Sequence, residues 1–216
     1  MIVYFVRHGE GHHNANNLYS LPDFELTEKG KAEAKAAGGR LKSLPIELFI
    51  VSSYKRTQQT AEIIIKEVGD KPHILSDLPV EVKRPSEIAG KRIDLPENIE
   101  IRKLMDKNID DPDWHFSDEE NFYDLKNRAF EFLKHLEEYS EKHIAVVSHS
   151  VFIKMVGLII IAGDELTPSI FNRSYKGLKL ATSGLTVCSF KDGLWSVDTW
   201  NDQSHLADNE NSKKGE

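Results

Sequence analysis

Residues 2–10 read Ile-Val-Tyr-Phe-Val-Arg-His-Gly-Glu, and they are the strongest indication of the fold class. Its first five residues are β-branched or aromatic with no polar alternation, which is typical of a strand buried on both faces of a parallel sheet. Arg7 and His8 follow without a break. The stretch therefore predicts a central strand whose carboxyl end carries a guanidinium and an imidazole.

Strands and helices alternate along the rest of the chain. Short apolar runs predict strands at 48–51, 73–75 and 144–147, and a hairpin formed by 185–190 and 194–200. Helical spacing and capping residues predict helices at 27–42, from Ser52 or Ser53 to 68, at 122–139 and at 151–162. This alternation predicts the α/β class, as a three-layer α/β/α sandwich with a mainly parallel central sheet.

Residues 77–120 interrupt this alternation. They contain four prolines and a dense mixture of charges, without sustained periodicity. A long connection of this kind inside a compact domain is usually functional, so we expect a cap inserted over the carboxyl ends of the strands. The sequence thus predicts a single domain over 1–206, with the cap at about 77–120 and a polar tail at 207–216.

The composition excludes several classes of protein. Hydrophobic residues make up 39% and charged residues 29%, which indicates a globular chain and not a disordered or membrane-embedded one. The net charge of −7 has the wrong sign for general binding to nucleic acid. We find no export signal, and the longest apolar stretch, 155–162, is too short for a membrane span. With Cys188 as its single cysteine, the chain is expected to be cytoplasmic.

Polar side chains follow three of the predicted strands at the point where each strand ends. They include Arg7 and His8 after the first strand, Arg56 beyond the second and His149 after the strand at 144–147. Ligands of open α/β sheets bind outside the carboxyl ends of the strands. Two imidazoles and two guanidiniums, with helix N-termini nearby, are suited to a dianionic phosphoryl group.

Five motifs in this sequence also carry a resemblance to a known family. They are RHGE at 7–10 with Asn14, LTEKG at 26–30, SSYKRTQQTAEI at 52–63, VVSHS at 146–150 and NDQSHL at 201–206. Their ordered set resembles the histidine phosphatase superfamily, which has the phosphoglycerate-mutase-like fold. The resemblance runs from residue 2 to 206 and is poorest in the cap.

The resemblance implies a role for each matched position. His8 is the nucleophile that becomes a phosphohistidine, and His149 is a second catalytic histidine. The phosphoryl oxygens are bound by Arg7, Asn14, Arg56 and His149. The general acid of the family is a carboxylate after the third strand, where Glu81 fits best and Glu87 is the alternative. The family more often has Gly at the position of Ser150, so a phosphate contact from that hydroxyl stays open.

The implied reaction is metal-independent hydrolysis of a phosphomonoester without a cofactor. The substrate is expected to be a small phosphorylated metabolite, with a phosphoprotein as the alternative. We expect His12, His13 and His115 to be solvated and not metal ligands, because no second ligand stands at a suitable spacing.

Two other functions remain open at this point. One is mutase-type phosphoryl transfer, and the other is a catalytically silent member that binds a phosphorylated ligand. Residues 81–85 lack the Tyr-Gly end of the ERHYG-like stretch found in mutases of the superfamily, which favours hydrolysis. The acidic residues Asp110, Asp111 and Asp113 are also unsuited to sealing an anionic substrate from water.

Overall fold

The computed structural model describes residues 1–206, so the predicted tail at 207–216 lies outside the described residues. The strands are β1 (Ile2–Arg7), β2 (Leu48–Ser52), β3 (His73–Ser76), β4 (His143–Ser148), β5 (Leu185–Lys191) and β6 (Leu194–Asp202). The helices are α1 (His12–Ala15), α2 (Glu28–Leu41), α3 (Lys55–Val68), α4 (Pro96–Lys107), α5 (Phe122–Glu137), α6 (Ser150–Ala162) and α7 (Pro168–Gly177).

The strands form one mixed sheet in the order β3-β2-β4-β1-β5-β6. Neighbours from β3 to β1 are parallel, whereas β5 is antiparallel to both β1 and β6. This confirms the predicted sheet with a central β1. Arg7 lies opposite Ser148, and Val51 lies opposite Val147, so β1, β2 and β4 end at the same edge.

Helices cover both faces of this sheet, which confirms the three-layer prediction. Val3 and Phe5 of β1 pack into the core that contains α5 and α6. Tyr4 and Val6 pack into the core that contains α2 and α3. Successive side chains of a strand point to opposite faces, which explains why β1 has no polar alternation from Ile2 to Val6. Cys188 of β5 lies in the first core, where burial raises the pKa of its thiol to about 12.

The start of α2 is as predicted, but the predicted start of α3 is wrong. Thr27 caps α2 by accepting a hydrogen bond from the backbone N–H of Gly30. Neither Ser52 nor Ser53 caps α3, which begins after Tyr54 without a side-chain cap. The reason is that Ser52 still belongs to β2, so the chain leaves the sheet before it turns into the helix.

Three helices were not predicted from the sequence. α1 has four residues, too few to show a helical period. Asn98 is the one buried residue of α4, so little of this helix packs against the core, although Pro96 occupies its first turn. α7 has a clearer start, because Thr167 accepts a hydrogen bond from the N–H of Ile170 and Pro168 occupies the first turn. Among residues 1–206, no helix has the length and apolar character needed to cross a membrane.

Candidate active site

The carboxyl ends of β1 and β4 bring two histidines together with Arg56. The ring centroids of His8 and His149 are 5.1 Å apart. Arg56, in the first turn of α3, donates from Nη2 to Nδ1 of His149 over 2.8 Å. All three side chains are buried, with at most 1% of each exposed to solvent. The sheet register therefore gathers groups that are far apart in the sequence.

The surroundings of His8 determine which ring nitrogen carries the proton. Its Nδ1 lies 2.7 Å from the carbonyl oxygen of Gly9, which only accepts hydrogen bonds. The proton is therefore on Nδ1, and Nε2 keeps its lone pair. Burial lowers the pKa of His8 well below its usual value, and the charges of Arg56 and Arg7 lower it further. His8 is thus a neutral imidazole with an available nucleophilic nitrogen.

Both ring nitrogens of His149 already have hydrogen-bond partners. Nδ1 accepts from Arg56, so Nε2 carries the proton and donates it to the hydroxyl of Ser52 over 2.7 Å. Burial lowers the pKa of His149 well below its usual value. His149 therefore lies beside His8, as the motifs predict, but its nitrogens are engaged within the protein.

Arg56 stays charged although it is fully buried. Burial lowers its pKa to about 10, which is still above neutral pH. Its Nη1 donates to the carbonyl of Leu21 over 2.9 Å, whereas its Nε has no partner among residues 1–206. A buried guanidinium N–H without a partner is costly, so this group is available for an anion.

A cavity of about 510 Å³ opens at His8, and the structure brings most of the predicted site to it. Arg7, Asn14, Glu81 and Ser150 line this cavity together with His8, whereas Arg56 and His149 are not among its lining residues. Arg7 also donates from Nη1 to the carbonyl of Leu180. The cavity thus contains a nucleophile, a cation, an amide and a carboxylate.

The structure brings Glu81 to the cavity and leaves Glu87 outside it. One oxygen of Glu81 lies 3.3 Å from the backbone N–H of Val151, in the first turn of α6, and accepts its hydrogen bond. Glu87 instead accepts from the hydroxyl of Ser117 and does not line the cavity.

Arg128 of α5 holds the segment that carries Glu81, a contact that the sequence analysis missed. Its guanidinium donates to the carbonyls of Leu78 and Val80 and forms two hydrogen bonds with Glu120, at 2.6 and 2.7 Å. Glu120 in turn accepts from the N–H of Lys83 over 2.9 Å. The segment 78–83 is therefore fixed on both sides of Glu81. Nothing in the sequence around Arg128 signals this role.

His13 is buried, so the expectation that it is solvated is wrong. Its ring stacks on Phe24 and lies 5.6 Å from the ring of His8, measured between centroids. Burial lowers the pKa of His13 to about 3. Its neighbour His12 is exposed, and His115 bonds to Asp124. Within the described part of the chain, no three His, Cys, Asp or Glu side chains are placed to bind a metal ion.

The RHGE and LTEKG motifs pack against each other beside His8. Gly9 and Gly30 approach so closely that a Cβ atom on Gly9 would lie 2.2 Å from the carbonyl oxygen of Gly30. Only glycine fits at these two positions, which explains the glycines of RHGE and LTEKG. On the other side, Ser183 donates its N–H to the carbonyl of Arg7, and His205 donates from Nε2 to the carbonyl of Ser183. The NDQSHL motif thus braces Arg7 indirectly.

The profile of the histidine phosphatase superfamily (branch 1) matches residues 3–203. This chain belongs to the histidine phosphatase superfamily. A 2,3-bisphosphoglycerate-dependent phosphoglycerate mutase from Mesorhizobium japonicum is 43% identical over 67 residues, which is 30% of this chain and 32% of that protein. A protein named probable phosphoglycerate mutase GpmB, from Escherichia coli O1:K1 / APEC, is 28% identical over 213 residues, or 94% of each chain.

A solved structure shares the fold of this chain. A phosphoserine phosphatase mutant from Entamoeba histolytica, crystallised with phosphoserine, aligns with a TM-score of 0.77 and 22% identity. The alignment covers 95% of this chain and 98% of that one. This likeness extends over nearly the whole fold.

Proposed function

We propose that this histidine phosphatase hydrolyses phosphomonoesters through a covalent phosphohistidine on Nε2 of His8. The observation that carries this proposal is the hydrogen bond from Nδ1 of His8 to the carbonyl of Gly9, which leaves Nε2 unprotonated in the cavity. A neutral imidazole is a competent nucleophile near pH 7. The same hydrogen bond stabilises the charge that the ring acquires when Nε2 is phosphorylated.

The reaction has two displacements. In the first, Nε2 attacks phosphorus, the bond from phosphorus to the ester oxygen breaks, and the leaving oxygen takes a proton from the Glu81 carboxyl. In the second, water attacks the phosphohistidine, gives its proton to the Glu81 carboxylate, and orthophosphate leaves as the N–P bond breaks. The position of Glu81 in the cavity, which Glu87 does not share, supports this assignment.

The phosphoryl oxygens are bound in this proposal by Arg7, Asn14, Arg56 and His149. Arg7 and Asn14 line the cavity directly. Arg56 supplies positive charge, and its unpartnered Nε supports a contact with the anion. His149 reaches an oxygen with its Nε2–H only if it releases Ser52, and the first turn of α6 adds a favourable dipole. Charge spread over three equatorial oxygens is thereby stabilised by side chains.

The proposed substrate is a small phosphorylated metabolite, and the cap at 77–120 covers it. The volume of the cavity fits a molecule of that size. A phosphorylated side chain would instead have to reach into the cavity while it is attached to the surface of a folded protein. The Entamoeba histolytica neighbour was crystallised with the small molecule phosphoserine, which also supports this choice.

Trapping of the intermediate tests the proposal. A wild-type sample quenched during turnover of a ³²P-labelled ester is expected to carry acid-labile, base-stable label, and His8→Ala is expected to carry none. His12→Ala is the matched control, because His12 is the exposed neighbouring histidine and should keep the label. Label that persists in His8→Ala would contradict the mechanism.

Mutase-type transfer is the second candidate, and the full-length relative named probable phosphoglycerate mutase favours it. A mutase must keep water from its phosphoenzyme. Asp110, Asp111 and Asp113 are exposed and do not line the cavity, so they do not seal it. With 3-phosphoglycerate and bisphosphoglycerate as primer, we expect phosphate release to exceed isomerisation. Isomerisation with little free phosphate would establish the mutase.

A further inference from the structure

Part of the cavity wall is apolar. The cap and α7 contribute aliphatic and aromatic side chains to it: Ile93, Met105, Ile109, Trp114, Phe171 and Tyr175. These side chains are half-buried or buried, although nothing apolar covers their cavity side among residues 1–206. The phosphoryl group occupies only the base of a volume of about 510 Å³. The rest is available to the alcohol that leaves.

Most charged residues of the cavity away from His8 are solvated or paired. Arg102, Asp106 and Lys176 are exposed and carry both signs of charge, so they form a solvated rim, whereas Arg84 is half-buried and Glu120 is paired with Arg128. Glu119 is buried, but its two oxygens already accept hydrogen bonds from the N–H groups of Phe116 and Ser117. In the segment 13–20, Nδ1 of His13 and the hydroxyls of Tyr19 and Ser20 also line the cavity and have no hydrogen-bond partner among residues 1–206. The apolar surface left for a ligand is therefore the part of the wall that the cap and α7 form.

A three-carbon acid would use little of this site. It fills a small part of a cavity in the size range that holds drug-sized ligands, and it would leave the apolar walls in contact with water. Trp114 offers the largest flat surface among these walls. It is fixed at the start of α5, because the side chain of Asn121 donates to its carbonyl.

We propose that the preferred substrates are monophosphate esters of alcohols with an extended apolar group, either an alkyl chain or an aromatic ring. This inference rests on the proposed function and adds the chemistry of the leaving alcohol to it. The apolar group lies between Trp114 and the apolar side chains of α7, with the phosphoryl group at His8. Sugar and glycerate phosphates fit the chemistry of the base but not the walls.

A series of n-alkyl phosphates tests the proposal without changing the chemistry. Methyl, butyl, hexyl and octyl phosphates have leaving groups of nearly constant basicity, so differences in kcat/KM report binding of the chain in the transition state. Burial of one methylene corresponds to about a fourfold change. We expect kcat/KM to rise by about fourfold per methylene up to hexyl phosphate, and hexyl phosphate to exceed 3-phosphoglycerate.

A matched pair of tryptophan variants locates the effect. Trp114→Ala is expected to reduce the increase to less than about twofold per methylene, because it removes the largest apolar wall. Trp195→Ala is the control, since Trp195 of β6 packs on Phe190 of β5, outside the cavity, and the rise should persist there. Circular dichroism verifies that both variants are folded. If Trp114→Ala does not fold, Trp114→Leu takes its place, with a reduced rise expected again.

The outcomes separate this inference from the proposed function. His8-dependent hydrolysis of p-nitrophenyl phosphate with no dependence on alkyl chain length would overturn the inference and leave the phosphatase proposal standing. A preference for 3-phosphoglycerate over hexyl phosphate would also overturn it, in favour of a second anionic group bound by the rim. Absence of hydrolysis with every ester would overturn both.

Discussion

Single residues in this site owe their protonation states to burial. His8, His13 and His149 all have pKa values lowered in the folded protein, in the case of His13 to about 3. An unfolded chain has histidines near 6.5, so it takes up protons first as the pH falls. Folding stability contributed by these neutral rings is therefore complete above about pH 6.5 and is lost on acidification.

This linkage predicts a measurable pH dependence of stability. Between pH 6.5 and 5, the free energy of unfolding is expected to fall by up to about 1.4 kcal/mol per pH unit for each buried histidine. His13→Phe, which keeps an aromatic ring against Phe24, should reduce the slope by one such contribution. Urea unfolding at a series of pH values measures it, with His12→Phe as control. An unchanged slope in His13→Phe would contradict the assignment.

Glu81 and Glu87 provide a second comparison at this scale. Glu81→Gln is expected to slow alkyl phosphates by about a hundredfold, because their leaving oxygen needs a proton, and to slow p-nitrophenyl phosphate much less. Glu87→Gln should behave as wild type, since this carboxylate lies outside the cavity. Steady-state kinetics on both esters measures the difference. The opposite result would move the acid to Glu87.

Among the elements, α5 makes the contribution to the site that is hardest to recognise from the sequence. Its Arg128 fixes segment 78–83, and so acts on the chemistry through Glu81 as a positioning residue. Arg128→Met keeps the length of the side chain but removes five N–H donors. We expect kcat/KM to fall about tenfold for alkyl phosphates and less than about threefold for p-nitrophenyl phosphate.

The control for Arg128 is another paired arginine. Arg92→Met breaks an exposed pair with Asp94 on the surface of the cap, and neither ester should respond. Equal losses on both esters in Arg128→Met would indicate general damage to the fold and not misplacement of the acid.

The elements also show what sequence patterns capture. β1 was predicted correctly because its five consecutive apolar residues show no polar alternation, which is typical of a strand that is buried on both faces. The exposed helix α4 was missed because its formation does not depend on an apolar face. The positions of His8 and Arg56 follow from motifs at strand ends. The contact of Arg128 with Val80 instead depends on how α5 packs against a loop 48 residues earlier, for which no local pattern exists.

For the molecule as a whole, the charges of the site predict independence from metal ions. In the proposed mechanism, Arg7 and Arg56 supply the positive charge that a divalent ion would otherwise supply to the phosphoryl group. Activity is therefore expected to be unchanged after dialysis against EDTA, measured with p-nitrophenyl phosphate. Inactivation that one divalent ion reverses would contradict this.

The burial of Cys188 has a practical consequence for studying the cap. A thiol in the core with a pKa of about 12 is protonated and inaccessible, so maleimide reagents should leave it unmodified in the native protein. Cysteines introduced at exposed positions, such as Leu104 of α4 and Leu194 of β6, would then be the only labelled sites. A fluorophore pair placed there would follow the distance between cap and sheet during turnover, with the natural cysteine left in place.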